Sequence, residues 1–451
     1  YNKYVADKEY TTHTKEFCTN FEDDAVFRAY GSHVVMSNDE LKNVTNIDGW
    51  FDHHTGVKDL TSLGLTAVDT LKAATLSPLK ELLKITLPDT LAVVEEGAFA
   101  ANTKLQWADF AQCINEGVLT NDNIGRMGFN QYALIYTPES FTATGLTNVV
   151  YGSEGNLRCD HFIFSDNAAY AVPREFKAAA ISYDRLFKQG ETTTLCLPFD
   201  MEIPVGARAF VLTYEVDDTM FVAQVKSIEA YRPYIVMADE DVTFGTTNET
   251  LVPVAPDRLE QETTPNYALL GTFAPINAKD AEEQRMYILD ENASWSLVRD
   301  AVEGEQVLSP YSVYMQTKMP NAPATIMMRE AVFNIVDGAY TEYENTEDEI
   351  GRIIYTRTLN NAWNALYVPF QIELTEEMLA NYDIAYINNV HSYDRDDDGE
   401  LDDWSIEIVK IKKFAKLKAN HPYVIRPKSD EAINLNIAQI YSTLYSTAPE
   451  K

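Results

Sequence analysis

Apolar side chains recur in short sets through the first third of the chain: Val57/Leu60/Leu63, Leu83/Ile85/Leu87, Leu105/Trp107/Phe110, Leu134/Tyr136 and Val149/Tyr151. Leu60 and Leu83 are 23 positions apart, Leu83 and Leu105 are 22. A repeat of about 20–29 residues built on a short strand and a turn is the period of a stacked-coil solenoid. One such unit cannot hide its own apolar face, and the next coil covers it. Later spacings drift, which predicts an irregular coil toward residue 180. Pro88 suits a strand end, where no ladder N–H is required. Phe99 falls where the returning arm would plug the core. Helix is expected on the outer side of the coil around Leu71 to Leu83. Residues 1–33 are polar and mixed and read as a cap, with the solenoid over 34–180.

From about residue 181 the pattern changes to alternating Val, Ile, Tyr, Phe and Thr with Gly, Pro and Asp breaks, which predicts antiparallel strands. This part repeats itself. Ile181-Ser182-Tyr183-Asp184-Arg185 recurs as Ile353-Ile354-Tyr355-Thr356-Arg357, and Leu195-Cys196-Leu197-Pro198-Phe199 as Leu366-Tyr367-Val368-Pro369-Phe370. The two offsets are 172 and 171 residues. Arg232-Pro233-Tyr234-Ile235 recurs as His421-Pro422-Tyr423-Val424 at an offset of 189, so the second copy has gained about 18 residues in between. Two modules of one ancestry are expected, sandwich-like, over 181–336 and 352–451. The first divides into halves at about 181–250 and 265–330, and the second shows no counterpart of the later half. The acidic stretch 337–351 reads as a linker, and a short helix is expected at Glu376 to Tyr382. The expected fold class is therefore mainly β with some α: an irregular solenoid followed by duplicated antiparallel β modules.

The chain has 451 residues and a formal net charge of -33. A field of that sign repels phosphate backbones and anionic lipid surfaces, which argues against nucleic-acid and membrane-surface binding. No apolar run reaches the roughly 20 residues of a membrane-spanning helix. The four cysteines, Cys18, Cys113, Cys159 and Cys196, form no CxxC pair and read mostly as buried thiols, with one or two disulfides open in an oxidising compartment.

Leu83 to Leu105, LKITLPDTLAVVEEGAFAANTKL, resembles one unit of the bacterial BspA-type leucine-rich repeat, L-x-x-I-x-L-P…A-F-x-x-[CN]-x-x-L. Ala133 to Pro138 with Phe141 matches more weakly, and the resemblance spans about a third of the chain. The tandem modules also look like those that follow such repeats in secreted or surface proteins of gut-type bacteria. The resemblance implies an extracellular or lipid-anchored protein that binds or adheres, without catalysis.

The sharpest chemical motif lies within the residues gained by the second copy: Asp394-Arg395-Asp396-Asp397-Asp398-Gly399-Glu400-Leu401-Asp402-Asp403-Trp404. Its D-x-D-x-D-G spacing is that of a calcium loop, in which alternate carboxylates converge on one centre and a glycine permits the bend. Asp394, Asp396 and Asp398 are the expected ligands, completed by the Glu400 carbonyl and Asp402. Ser405 stands where an EF-hand carries its bidentate Glu, and the flanks read as strand, so a hairpin-borne site is expected. The competing reading is a solvated acidic tip that discourages edge pairing. Trp404 is a candidate ring for stacking on a sugar or anchoring a protein. His53-His54, and Cys159 with His161, read as surface or packing residues. Nucleotide-binding, nucleophile-elbow and HExxH signatures do not occur.

The sequence thus points first to a secreted or surface-anchored monomer that recognises a host protein or glycan, with calcium as a candidate ion. A glycosidase or its accessory module, and a purely structural stalk, are the alternatives.

Overall fold

The computed structural model describes strands Val26–Ala29 and Val34–Ser37, and then residues 45–445 apart from residues 50, 53–55, 62–66, 143–144, 257–258, 260, 291, 339–348 and 414. Most of the expected cap, Cys18 and the His53-His54 pair lie outside the described residues. The protein is mainly β with few helices, and its front portion is a solenoid-like stack.

The stack is a parallel ladder of short strands, Asp59–Leu60, Lys84–Thr86, Trp107–Asp109, Leu134–Tyr136 and Val149–Tyr151. Leu60, Ile85, Ala108, Ile135 and Val149 share one register column and enter one core with Leu71, Leu91, Phe99 and Phe110. A second ladder on another side pairs Thr70–Leu71 with Val93–Val94. The stacking is reinforced by buried amides. Asn102 donates to the carbonyls of Leu76 and Leu79 one coil back, at 3.0 and 2.8 Å. Asn115 and Asn130 reach the preceding coil in the same way. Phe99 stacks on Phe129 with ring centroids 4.2 Å apart, which fills the turn end of the core.

Two expectations fail here for local reasons. Residues 72–82 form turns rather than helix. Leu79 N–H bonds the Leu76 carbonyl, Leu82 bonds Leu79, and Pro78 lacks the donor that a continued helix would need. The apolar sets at Trp107 and at Leu134/Tyr136 belong to the other face: Ala108 and Ile135 point inward, while Trp107, Leu134 and Tyr136 pack into a second core. These outward side chains are covered because segment 165–175 crosses them. Tyr136 donates to the Arg174 carbonyl at 2.8 Å, and the Arg174 guanidinium lies 4.4 Å over the Tyr136 ring and 2.9 Å from Asp109.

The ladder does not stop at the expected boundary of 180. Arg158–Phe164 and Phe176–Tyr183 continue the same sheet, edged by Gly245–Thr246 and Thr250–Val252. Against it packs a sheet that runs, in spatial order, through Thr192–Leu195, Tyr234–Ala238, Ala207–Val216 and Thr219–Val225. It continues by a parallel step into Thr325–Glu330, Trp295–Leu297, Met286–Leu289, Ser312–Thr317, Tyr267–Thr272 and Gln261–Thr263. Period-two alternation divides the side chains: Ala209, Val211, Tyr234 and Val236 meet the solenoid end, while Phe210, Leu212 and Ile235 meet Tyr287, Trp295, Val313 and Ile326 of the later half.

Residues 332–445 repeat the first part of that plan. Val332–Val336 runs parallel to Glu349–Thr358 as Arg158–Phe164 does to Phe176–Tyr183, so it belongs with the second module rather than the first. Asn364–Leu366, Tyr423–Pro427, Tyr382–Tyr393 and Asp403–Lys410 pair in the order of their counterparts. Even the register shift recurs, between Leu212/Tyr214 and between Ile387/Asn389. The repeated landmarks have matching duties. Tyr234 accepts from the Glu229 N–H at 2.8 Å and Tyr423 from the Lys418 N–H at 3.0 Å, each five residues back. Arg185 faces Asp166 and Arg357 faces Asp337, each aspartate lying just beyond the strand that precedes its module's first repeat strand.

Candidate functional sites on the second module

The residues gained by the second copy go largely into its hairpin. The turn at Asp217-Asp218 of the first module is replaced by loop 394–402 between strands Tyr382–Tyr393 and Asp403–Lys410. From Tyr386 onward both strands are largely exposed on both faces, so the hairpin stands out as a ribbon. Asp394, Asp396 and Asp398 come together at its tip, with a carboxylate oxygen of each within 4.8 Å of the others. The loop is curled by its own bonds. Gly399 N–H donates to Asp394 Oδ2 at 2.9 Å, Glu400 N–H to Asp398 Oδ1 at 2.8 Å and Arg395 N–H to Asp402 Oδ2 at 2.6 Å. Gly399 has φ +90°, a conformation that suits glycine. Asp394 Oδ1 is buried without a hydrogen-bond partner. The Glu400 and Asp402 side chains are not part of the three-carboxylate cluster, and Arg395 pairs with Asp403. Strands flank the loop, as expected from its sequence. Trp404 follows it and is 64% exposed.

A second feature was not foreseen. Outer residues of strand Asn434–Leu444, helix Glu376–Asn381 and the start of strand Ile372–Glu373 bound a groove of about 810 Å³. The helix starts where Thr375 caps it by accepting from the Met378 N–H at 3.2 Å. Strand 434–444 alternates, with Leu435 and Ile437 in the core and Asn434 and Asn436 outward. The groove is therefore walled by side-chain amides and hydroxyls, with Tyr441 and Tyr445 at one end. Gln439 Nε2 is buried without a partner. Tyr441 has φ +48°, at a register shift opposite Gly351 and Ile353. Such strain persists where the surroundings fix it. Across the groove Glu373 is gripped by Lys226 of the first module and Lys416, each at 2.9 Å, which holds its carboxyl down at about 2. The alternation of Asn434-Leu435-Asn436-Ile437 was the available signal; nothing in the sequence paired it with helix 376–381.

Other candidates resolve as packing. Cys159 is buried, which pushes its thiol up to about 12, and His161 bonds Ser182 at 2.8 Å instead. Cys113 is likewise pushed up to about 12 by burial. Trp295 is fully buried, and Trp363 lies under the Arg426 guanidinium at 4.9 Å.

No known family model and no curated protein matches the sequence. Among solved structures, an oxalate decarboxylase of Lactobacillus farciminis in its formate complex aligns over 58% of this chain and 75% of its own, with 10% identity and a TM-score of 0.14. At that score the likeness carries no argument.

Proposed function

We propose that the protein is a secreted or surface-displayed binding protein of bacterial type that holds a glycan in the groove of the second module and performs no catalysis. The groove's chemistry carries this reading. Amides and hydroxyls offer donors and acceptors together, as sugar hydroxyls require, and tyrosine rings offer apolar faces to sugar rings. Glu373, kept ionised by two lysines, is a fixed acceptor rather than a proton donor. A glycosidase acid needs a raised pKa, whereas the displaced carboxylates among the described residues, Asp59, Asp239, Glu282, Glu373 and Asp383, are all lowered. A host protein docking on Trp404 is the second reading, favoured by that ring's exposure.

On the same footing, the coil is a BspA-type leucine-rich repeat and the modules are sandwich-like. The asparagine of the A-F-x-x-N pattern supports this, because Asn102 makes the bonds between coils. Asp394, Asp396 and Asp398 bind calcium at the hairpin tip; the unpartnered Asp394 oxygen supports this, with water completing the six to eight oxygens the ion takes.

A glycan array probed with the full chain tests the function, with calcium and with chelator. A retained glycan whose affinity falls at least tenfold in Asn436→Leu and in Gln439→Leu is the expected result. Absence of any retained glycan overturns the reading, and a hydrolysed glycan transfers it to the glycosidases. Calorimetric titration with calcium tests the loop, with heat expected from the wild type and none from Asp396→Ala.

A further inference from the structure

The two modules differ in what covers the same sheet face. In the first, Leu212, Met220, Val222 and Ile235 lie under residues 267–326. By the shared register their counterparts are Ile387, Ile406, Ile408 and Val424. These four positions are apolar without a cover, Ile406 being 58% exposed; Val390, 49% exposed where the first module has Glu215, and Trp404 extend the stripe. The opposite face has diverged. Tyr214 and Phe221, which pack the first module's hairpin onto the second module, correspond to Asn389 and Glu407. Polar pairs Asn389/Glu407 and His391/Ser405 interrupt that opposite face between Tyr386/Val409 and Tyr393, whereas Ile387/Ile408, Val390/Ile406 and Trp404 run on as one stripe. A protruding two-stranded ribbon is also marginal by itself in water.

The charge along the ribbon says what lies on it. Asp394, Asp396, Asp397, Asp398, Glu400, Asp402 and Asp403 crowd its tip, while Lys410, Lys412 and Lys413 follow one another at its root, Lys410 being paired with Asp383 of the same chain. Lys412 and Lys413 are exposed. An identical ribbon laid antiparallel, face to face, brings each acidic tip over the other's lysine root. It also buries Ile387, Val390, Trp404 and Ile406 of both chains. We infer that this face is where a second copy of the chain docks, through a two-fold contact in which each hairpin supplies the sheet that residues 261–330 supply inside the first module. The contact is self-complementary and closes, so it ends at a dimer.

Sedimentation velocity of the full chain in chelator-treated buffer, over a wide concentration range, tests this. The wild type should reach twice the 50.9 kDa chain mass. Ile406→Glu, at an exposed position, should sediment as a single chain, with the thermal midpoint of wild type when both are measured dilute enough to be single chains. Lys412→Glu/Lys413→Glu should weaken the dimer at least tenfold, and adding Asp396→Lys/Asp397→Lys in the same chain should restore it. A single-chain mass at every concentration, or a dimer that survives Ile406→Glu, overturns the proposal.

Discussion

The two β modules share strand order, register and even the position of a bulge, yet one has its inner face roofed and the other has it open. The pairing scheme is common to both, and what each face meets is different. The lesson is that a strand's neighbours in a sheet are set by backbone pairing, while its faces are free to be reassigned one side chain at a time. Cys196 shows this. Its side chain sits against Gly271 of the roofing strand and fills the space that a Cβ there would need, whereas its counterpart Tyr367 is 62% exposed.

The widest contrast should come from tryptophan. Trp295→Ala, at the centre of the roofed core, should cost about 3–5 kcal/mol in denaturant unfolding. Trp404→Ala, measured on dilute chains, should fall within about 0.5 kcal/mol of wild type. Equal losses would mean that the open face is already covered within the chain.

An exchange of residues sharpens the comparison at one register position. Cys196→Tyr should destabilise by about 1–3 kcal/mol or more through overpacking, and Tyr367→Cys should be close to neutral. Thermal unfolding of the two single variants decides it; a tolerated Cys196→Tyr would show that the roof lifts easily.

The smallest effect lies where the modules touch. Glu373 has a carboxyl lowered from its ordinary 4.5 to about 2, by its hydrogen bonds to Lys226 first and then Lys416. A depressed pKa contributes stability that is fully present above the unfolded value and lost as pH falls through the folded one. The gap in thermal midpoint between wild type and Glu373→Gln should therefore hold above about pH 4.5 and close between there and about pH 2. Glu373 is partly exposed, so the gap should be small and should shrink further in high salt. A gap that does not change with pH would remove the ion pair from the junction.

What could be read from the chain alone followed spacing. The coil period placed Phe99 in the core, and the repeated Tyr, Arg and Pro-Phe landmarks marked matched turns and clamps, because these depend on short-range geometry that recurs intact. The facing of Trp107, Leu134 and Tyr136 was misread. An apolar side chain reports that it is covered, but not from which side, and here the cover is segment 165–175. The acidic loop was visible as a motif, and its hairpin setting followed from the strand-like flanks. The groove was invisible because its walls come from helix 376–381 and strand 434–444, joined by no pattern in the primary structure.

The parallel step from Thr219–Val225 to Thr325–Glu330 has a consequence for biosynthesis. Each coil of the solenoid can settle as soon as the next one leaves the ribosome. The first module's inner core has to wait for residue 330, since Trp295, Val313 and Ile326 complete it. During that interval Phe210 and Leu212 stand uncovered, as Ile387, the counterpart of Leu212, does in the second module. Closing so long a loop is slow, so this interval is when a nascent chain is most exposed to aggregation and to the holdase chaperones that prevent it.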